Sequence, residues 1–269
     1  MIVTKTPTIL TFDSGLGGLT VHAEVVRLRP SANYVYAADD AGFPYGGWEP
    51  DALNDRVQSV MSDLIAQHHP DLVVIACNTA STLVLPRLRK AFPNVPFVGT
   101  VPAIKPAATH SKSKLISVLA TPGTVARDYT HDLIKNYAAD CQVTLVGAKN
   151  LASIAEAYMR GAEISDSQIA AEITPCFVTD GHQRTDYVVL ACTHYPLLIN
   201  HFKTLAPWSV EWIDSAPAIA RRVDHVLTDK GMARLDGTPK TGLAVFTSGD
   251  QPTPELAAAL GRYHLEVAG

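Results

Sequence analysis

No stretch of about 18 consecutive apolar residues runs anywhere in the 269-residue chain, so the sequence offers no membrane-spanning helix. Basic residues form no run or stripe and the net charge is −4, which removes electrostatic support for binding nucleic acid. The first residues, MIVTKTPTILTF, are too short and too polar for a secretory signal. The four cysteines stand far apart, at 77, 141, 176 and 192, and no C-x-x-C pair exists. That spacing argues against a disulfide framework or a zinc ribbon and fits a reducing, cytoplasmic setting. The glycine-rich DSGLGG lacks the spacing of a dinucleotide fingerprint and has no P-loop lysine. No ligand-spacing motif joins the metal-binding residue types either, so neither cofactor nor metal is expected.

What remains is a chain with 47% hydrophobic and 18% charged residues, as in an α/β enzyme with a sizeable core. Short apolar runs alternate with amphipathic stretches. TPTILTF, NYVYAADD, DLVVIA (71–76), PFVGT (96–100), KLISVLAT (114–121), QVTLVGA (142–148) and DYVVLA (186–191) read as strands. Helical patterns follow most of them, including one through Lys90, one in TVARDYTHDLIKNY, one around LASIAEAYMRG and one running to about Leu205. Continuous Val/Ile/Leu runs separated by helices predict parallel strands covered on both faces, in doubly wound α/β sheets.

The strand ends repeat. Asp71-Leu-Val-Val-Ile-Ala-Cys77-Asn-Thr79 matches Asp186-Tyr-Val-Val-Leu-Ala-Cys192-Thr-His194, and ILTFDSGLGG is echoed more faintly by ISVLATPGTV. An internal duplication with two similar sheets accounts for both pairs. Ligands of open α/β sheets bind beyond the carboxyl ends of the strands, where Asp13, Cys77, Thr121 and Cys192 fall. A lone free cysteine usually behaves as a small buried hydrophobe, and that reading holds for Cys141 and Cys176. Two cysteines in matched settings, each followed by hydroxyl or imidazole side chains, point to chemistry instead.

Two acid/base groups on opposite walls suit inversion of a carbon stereocentre: one takes the Cα proton and the other returns one from behind. Thiols can be tuned to titrate near working pH. Asp13 is placed to assist Cys77 and His194 to assist Cys192; the plainer readings are a helix N-cap for Asp13 and an ordinary strand-end histidine for His194. Ser14, Asn78, Thr79 and Thr193 offer partners for a zwitterion, and helix N-termini hold carboxylates. Pro44-Tyr45-Gly46 on composition alone is an ordinary turn.

The segments Asp13-Ser-Gly-Leu-Gly-Gly-Leu-Thr-Val21, Phe43-Pro-Tyr-Gly46, Ala76-Cys-Asn-Thr-Ala80, Ala191-Cys-Thr-His-Tyr-Pro196, Ile213-Asp-Ser-Ala216 and Thr247-Ser-Gly-Asp250 resemble the glutamate racemases of the aspartate/glutamate racemase superfamily, in this order and over nearly the whole chain. The resemblance implies two pseudo-symmetric α/β domains with mainly parallel sheets and an active-site cleft between them. The first would comprise about 1–97 plus 209–269 and the second 98–208. It implies cofactor-independent interconversion of L- and D-glutamate, supplying D-glutamate for peptidoglycan, with Cys77 and Cys192 as the proton-transfer thiols and Asp13 and His194 beside them. Ser14, Asn78, Thr79 and Thr193 would bind the amino-acid head. Tyr45, Gly46, Thr121 and Thr124 would bind the side-chain carboxylate. A homodimer is the expected assembly. One place departs from the family: Ala148-Lys149 stand where members carry Cys-Pro, ahead of a helix whose Glu156 keeps the acidic position of a supporting residue.

Three rivals remain on the residues alone. A related decarboxylase would need only one thiol. A cysteine hydrolase built on Cys192 and His194 leaves Cys77 and its duplicated setting unexplained. A two-domain binding protein would keep the zwitterion pocket without needing thiols.

Overall fold

The computed structural model describes residues 5–267; Met1–Thr4, the start of the stretch weighed above as a signal, lie outside the described residues. The chain divides into two compact units, one formed by 1–100 and 216–269 and the other by Val101–Ser215.

In the first unit β1 (Thr8–Asp13), α1 (Leu19–Leu28), β2 (Asn33–Ala38), α2 (Pro50–His68), β3 (Leu72–Ile75), α3 (Asn78–Ala91) and β4 (Phe97–Gly99) alternate along the chain. In the second follow α4 (Ile104–His110), β5 (Leu115–Ala120), α5 (Pro122–Val125), α6 (Asp128–Tyr137), β6 (Gln142–Gly147), α7 (Leu151–Met159), α8 (Asp166–Ile173), β7 (Thr179–Asp180), β8 (Gln183–Arg184), β9 (Tyr187–Leu190), α9 (Ile199–Leu205) and β10 (Glu211–Ile213). The chain then returns to the first unit through α10 (Ala216–Asp229), β11 (Gly242–Phe246), α11 (Pro254–Gly261) and β12 (Leu265–Val267). The first unit's sheet runs β12-β11-β2-β1-β3-β4 and the second's β10-β9-β5-β6. Every pairing in both sheets is parallel, as the continuous apolar runs predict. The short β7–β8 pair is antiparallel and exposed.

Strand periodicity explains why both faces of each sheet are apolar. On β1 and β3, Leu10, Phe12, Val73 and Ile75 pack with Leu53, Val57 and Met61 of α2 and Val84 and Leu88 of α3. Ile9, Leu72 and Val74 point the other way, onto Val21 and Val25 of α1 and Ile219 and Val223 of α10. The second unit repeats the scheme. Leu119, Val188 and Leu190 face α7, α8 and α9, while Ile116, Val118 and Val189 face α4.

Two features differ from the sequence-based expectation. The expected changes of unit, at about 97/98 and 208/209, fall at Thr100/Val101 and Ser215/Ala216: Phe97–Gly99 pairs with β3 in the first sheet, and Glu211–Ile213 adds to the second beside β9. The helix expected directly after Cys192 begins only at Ile199; Tyr195–Leu198 forms a tighter 3-10 turn first. Proline 196 is the reason. An α-helix would need its N–H to reach the Cys192 carbonyl, and proline has none. That carbonyl instead accepts from Tyr195 N at 3.2 Å.

His22, on α1, is wholly buried, edge-on to the rings of Tyr34 and Tyr36. Burial pushes its pKa from 6.5 down to about 4, with nearby His264 adding to the effect and the main chain at Tyr263, which favours the protonated ring, opposing it. A folded-state pKa below the unfolded value means that the unfolded chain binds the extra proton. The stability tied to the neutral ring is therefore present above pH 6.5 and lost as pH falls toward 4. A shift of this size corresponds to roughly 3 kcal/mol at most. Urea unfolding of the wild type and His22→Leu should show the wild type losing stability relative to the variant between pH 7 and 4.5. Parallel pH curves would contradict this.

Candidate active site

The DSGLGG turn leaves β1 with its carboxylate turned inward. Asp13 is fully buried, and its Oδ2 accepts the main-chain N–H of Gly18 at 2.9 Å. Gly18, not Asp13, is the N-cap residue of α1, so Asp13 braces the turn from five residues upstream. A Cβ on Gly18 would stand 2.8 Å from Asp13 Cβ and 3.0 Å from Ala76 Cβ, so only glycine lets the turn close this tightly. The Tyr36 hydroxyl donates to Gly15 O at 2.7 Å and holds the same turn from β2.

Cys77 leaves β3 and is the N-cap residue of the fourteen-residue α3. The positive end of the helix dipole favours negative charge there. Cys77 is 6% exposed, and its sulfur lies 3.8 Å from Ser14 Oγ. The strand end beneath it is fastened by hydroxyls: Ser81 donates to Ile75 O at 2.9 Å, and Thr100 donates to Ala76 O at 2.8 Å. Asn78 and Thr79 are also buried, and the side-chain carbonyl of Asn78 has no hydrogen-bond donor among the described residues. An acceptor in that state suits an ammonium group.

The Phe43-Pro-Tyr-Gly46 segment contains a cis Phe43–Pro44 bond and a 3-10 turn over Tyr45–Gly47. Tyr45 is buried, and its hydroxyl donates to Asp39. Burial first, then the Asp39 charge, holds the phenol far above its ordinary range, and Cys77 lies near enough to add to the effect. The phenol is thus committed to Asp39, and what this turn can offer a ligand is its main chain.

The second unit places Cys192 past the end of β9, 8% exposed, with its sulfur 4.0 Å from His194 Nδ1. His194 is buried, and its Nε2 lies 2.9 Å from Glu156 Oε2 on α7. The other Glu156 oxygen accepts from Arg160 Nη2 at 3.0 Å and Nε at 3.2 Å. Thiol, imidazole, carboxylate and guanidinium therefore form one chain. Thr193 is buried beside it. On α5, Thr121 is the N-cap residue and its hydroxyl sits 3.0 Å from that of Thr124.

Where Ala148-Lys149 depart from the family pattern, Glu172 of α8 holds the loop by accepting from Lys149 N and Asn150 N at 2.9 and 3.0 Å. The Tyr195 hydroxyl donates to Ala148 O at 3.4 Å. Two residues the sequence did not single out, Asp39 and Arg56, stand at the base of the Tyr45 turn; the only cue was the Asp39-Asp40 pair closing a strand. Cys176 is fully buried, with its thiol pushed up to about 12 by burial, and Cys141 is raised by burial and then by Asp140. Cys141 stands ahead of β6 rather than past a strand's carboxyl end, its sulfur 3.6 Å from Asp140, which pairs with Lys114 at the surface.

The sequence matches the Asp/Glu/hydantoin racemase family over residues 20–223. A glutamate racemase of Sinorhizobium fredii is 54% identical over 97% of this chain and 98% of its own. One from Brucella anthropi is 60% identical over 81% of this chain and 79% of its own. The structure of Escherichia coli glutamate racemase, solved with L-glutamate and the activator UDP-MurNAc-ala, superposes with a TM-score of 0.88 at 37% identity, covering 98% of this chain and 97% of that one. Family, fold and matched thiol settings coincide, and the chain belongs to the Asp/Glu/hydantoin racemase family.

Proposed function

We propose that this protein is a cofactor-independent glutamate racemase that moves the Cα proton with two thiols, Cys77 and Cys192. The carrying observation is that each thiol ends a parallel strand in its own unit with a polar partner of its own: Ser14 for Cys77 and the His194–Glu156 pair for Cys192. One thiolate removes the proton from one face of Cα, and the other thiol donates one from the opposite face. The roles swap with the hand of the substrate. Following the family, Cys77 deprotonates D-glutamate and Cys192 deprotonates L-glutamate, with Asp13 and His194 assisting. The open acceptor on Asn78, with Ser14, Thr79 and Thr193, receives the amino-acid head. The main chain of Tyr45 and Gly46, with Thr121 and Thr124, receives the far carboxylate. The naming of curated relatives and the L-glutamate in the Escherichia coli structure support glutamate as substrate. The same resemblance supports a cytoplasmic homodimer that supplies D-glutamate for peptidoglycan. Among the described residues, no helix is long and apolar enough to cross a membrane.

In deuterated water the product formed from either enantiomer should gain solvent deuterium at Cα, while remaining substrate gains little early on. Cys77→Ala and Cys192→Ala should each abolish racemisation. Equal early labelling of substrate and product would sink the two-base mechanism, and near-normal turnover in either variant would remove that thiol from it.

His194→Asn should lower kcat about 10²–10⁴-fold, the range for a positioned acid/base partner, with unequal losses in the two directions. Glu156→Gln keeps the shape but removes the charge facing His194 and should reproduce the same directional bias more weakly. Unchanged kcat in both directions would reduce the pair to structural support.

Glutamate should be preferred over aspartate by more than about 10²-fold in kcat/KM. A missing methylene contributes roughly 1–3 kcal/mol, and each far-carboxylate donor left without a partner costs about 1–3 kcal/mol more. Comparable kcat/KM values for the two substrates would redefine the protein as a broad acidic amino-acid racemase.

A further inference from the structure

Asp39 is completely buried, and four side-chain donors converge on its carboxylate. Arg56 of α2 grips it with both arms of its fork, Nη2 to Oδ1 at 2.6 Å and Nε to Oδ2 at 2.7 Å. The Tyr45 hydroxyl donates to Oδ2. Thr247 donates to Oδ1 at 2.6 Å, and its oxygen lies 3.3 Å from Ala41 N. Next to it, Asp40 accepts from Ser248 N at 2.9 Å and Ser248 Oγ at 2.7 Å. The Thr247-Ser-Gly-Asp250 stretch, for which the chemistry above has no use, is thus the upper jaw of a clamp on the Asp39–Tyr45 loop.

The loop is built around this clamp. Gly42 is fixed by it, since a Cβ there would fall 2.4 Å from Arg56 Nε and 2.8 Å from Asp39 Oδ2. Trp48 Nε1 donates to Gly42 O at 2.9 Å, and the Arg56 guanidinium lies over the Trp48 ring, 5.7 Å from its centre. Tyr45 packs in the same core cluster as Cys77, so the position of its ring sets the turn against the start of α3.

We propose that Thr247 and Arg56, acting through Asp39, are positioning residues that set the Tyr45–Gly46 main chain at the distance a five-carbon acidic substrate requires. This rests on the preceding reading, in which that main chain receives the far carboxylate. Neither residue touches the reacting atoms. A buried carboxylate held by a guanidinium and two hydroxyls has one low-energy arrangement, and losing one charged hydrogen bond lets the loop sample others. The consequence falls on binding of the distal end and on discrimination between chain lengths, while proton transfer at Cα is spared.

Thr247→Val removes the hydroxyl with little change of shape, Thr247→Ser restores it, and Arg56→Lys keeps the charge but breaks the fork. Two quantities decide the matter in the full-length protein. The first is amide hydrogen exchange over residues 39–48, which needs no substrate. It should be faster in Thr247→Val and Arg56→Lys and close to wild type in Thr247→Ser. The second is the split between KM and kcat. KM for glutamate should rise about tenfold in Thr247→Val, the factor expected for one charged hydrogen bond, with kcat within about threefold and a smaller glutamate/aspartate ratio. Unchanged exchange in Thr247→Val overturns the clamp. Faster exchange with KM and the glutamate/aspartate ratio within about twofold of wild type overturns its link to the substrate. If the wild type fails to racemise glutamate, the preceding reading falls, and the exchange measurement still decides whether the clamp exists.

Discussion

The hydrogen-bond ladder of β1 does not stop where the strand stops, and the first unit's polar machinery is hung on its continuation. Asp39 N donates to Asp13 O at 2.8 Å and Ala76 N donates to Phe12 O at 2.8 Å, so the chains leaving β2 and β3 are still tied to β1 after their own strands have ended. Thr247 N adds a further rung by donating to Ala38 O at 3.1 Å. Asp13, Asp39, Cys77 and Thr247 therefore start from neighbouring, fixed points. The second unit repeats the arrangement on β5, where Leu119 O accepts from Ala191 N and Ala120 O from Ala148 N, each at 2.8 Å. Cys192 and the loop leading to Glu156 inherit their positions from these two bonds.

Two buried carboxylates outside the thiol turns are handled alike. Asp39 and Glu156 each face a guanidinium from a helix or its end, Arg56 and Arg160, and each spends a second contact on a ring near a thiol, Tyr45 near Cys77 or His194 near Cys192. A buried carboxylate without such partners would be costly, and with them it has little freedom to move. Each pair converts the charge of a peripheral arginine into a fixed orientation of an inner ring.

Much of this was legible in the sequence. Continuous apolar runs revealed the parallel strands, because a strand covered on both faces has no polar side to show. The paired cysteines announced themselves because the two segments repeat a strand, a small turn and a thiol together. What could not be read was what depends on side chains meeting across the fold. Glu156 stands far along the chain from His194, and nothing local indicates that α7 brings it within 2.9 Å. Asp39 and Arg56 look like ordinary loop and helix-surface charges until folding buries the former. The delayed start of α9 follows from the single missing N–H of Pro196, which a helical period does not register.

The two thiols share a strand ending and little else: Cys77 begins a long helix, whereas Cys192 stands in a bend three residues ahead of a 3-10 turn, with an imidazole 4.0 Å away. The strand endings are alike and their surroundings are not. Enantiomers have equal free energy in water, so a racemase must have the same kcat/KM in both directions whatever its active site looks like. Unequal surroundings can therefore appear only as kcat and KM rising or falling together for one hand of the substrate. Such a protein is free to saturate at a lower concentration of one enantiomer than of the other.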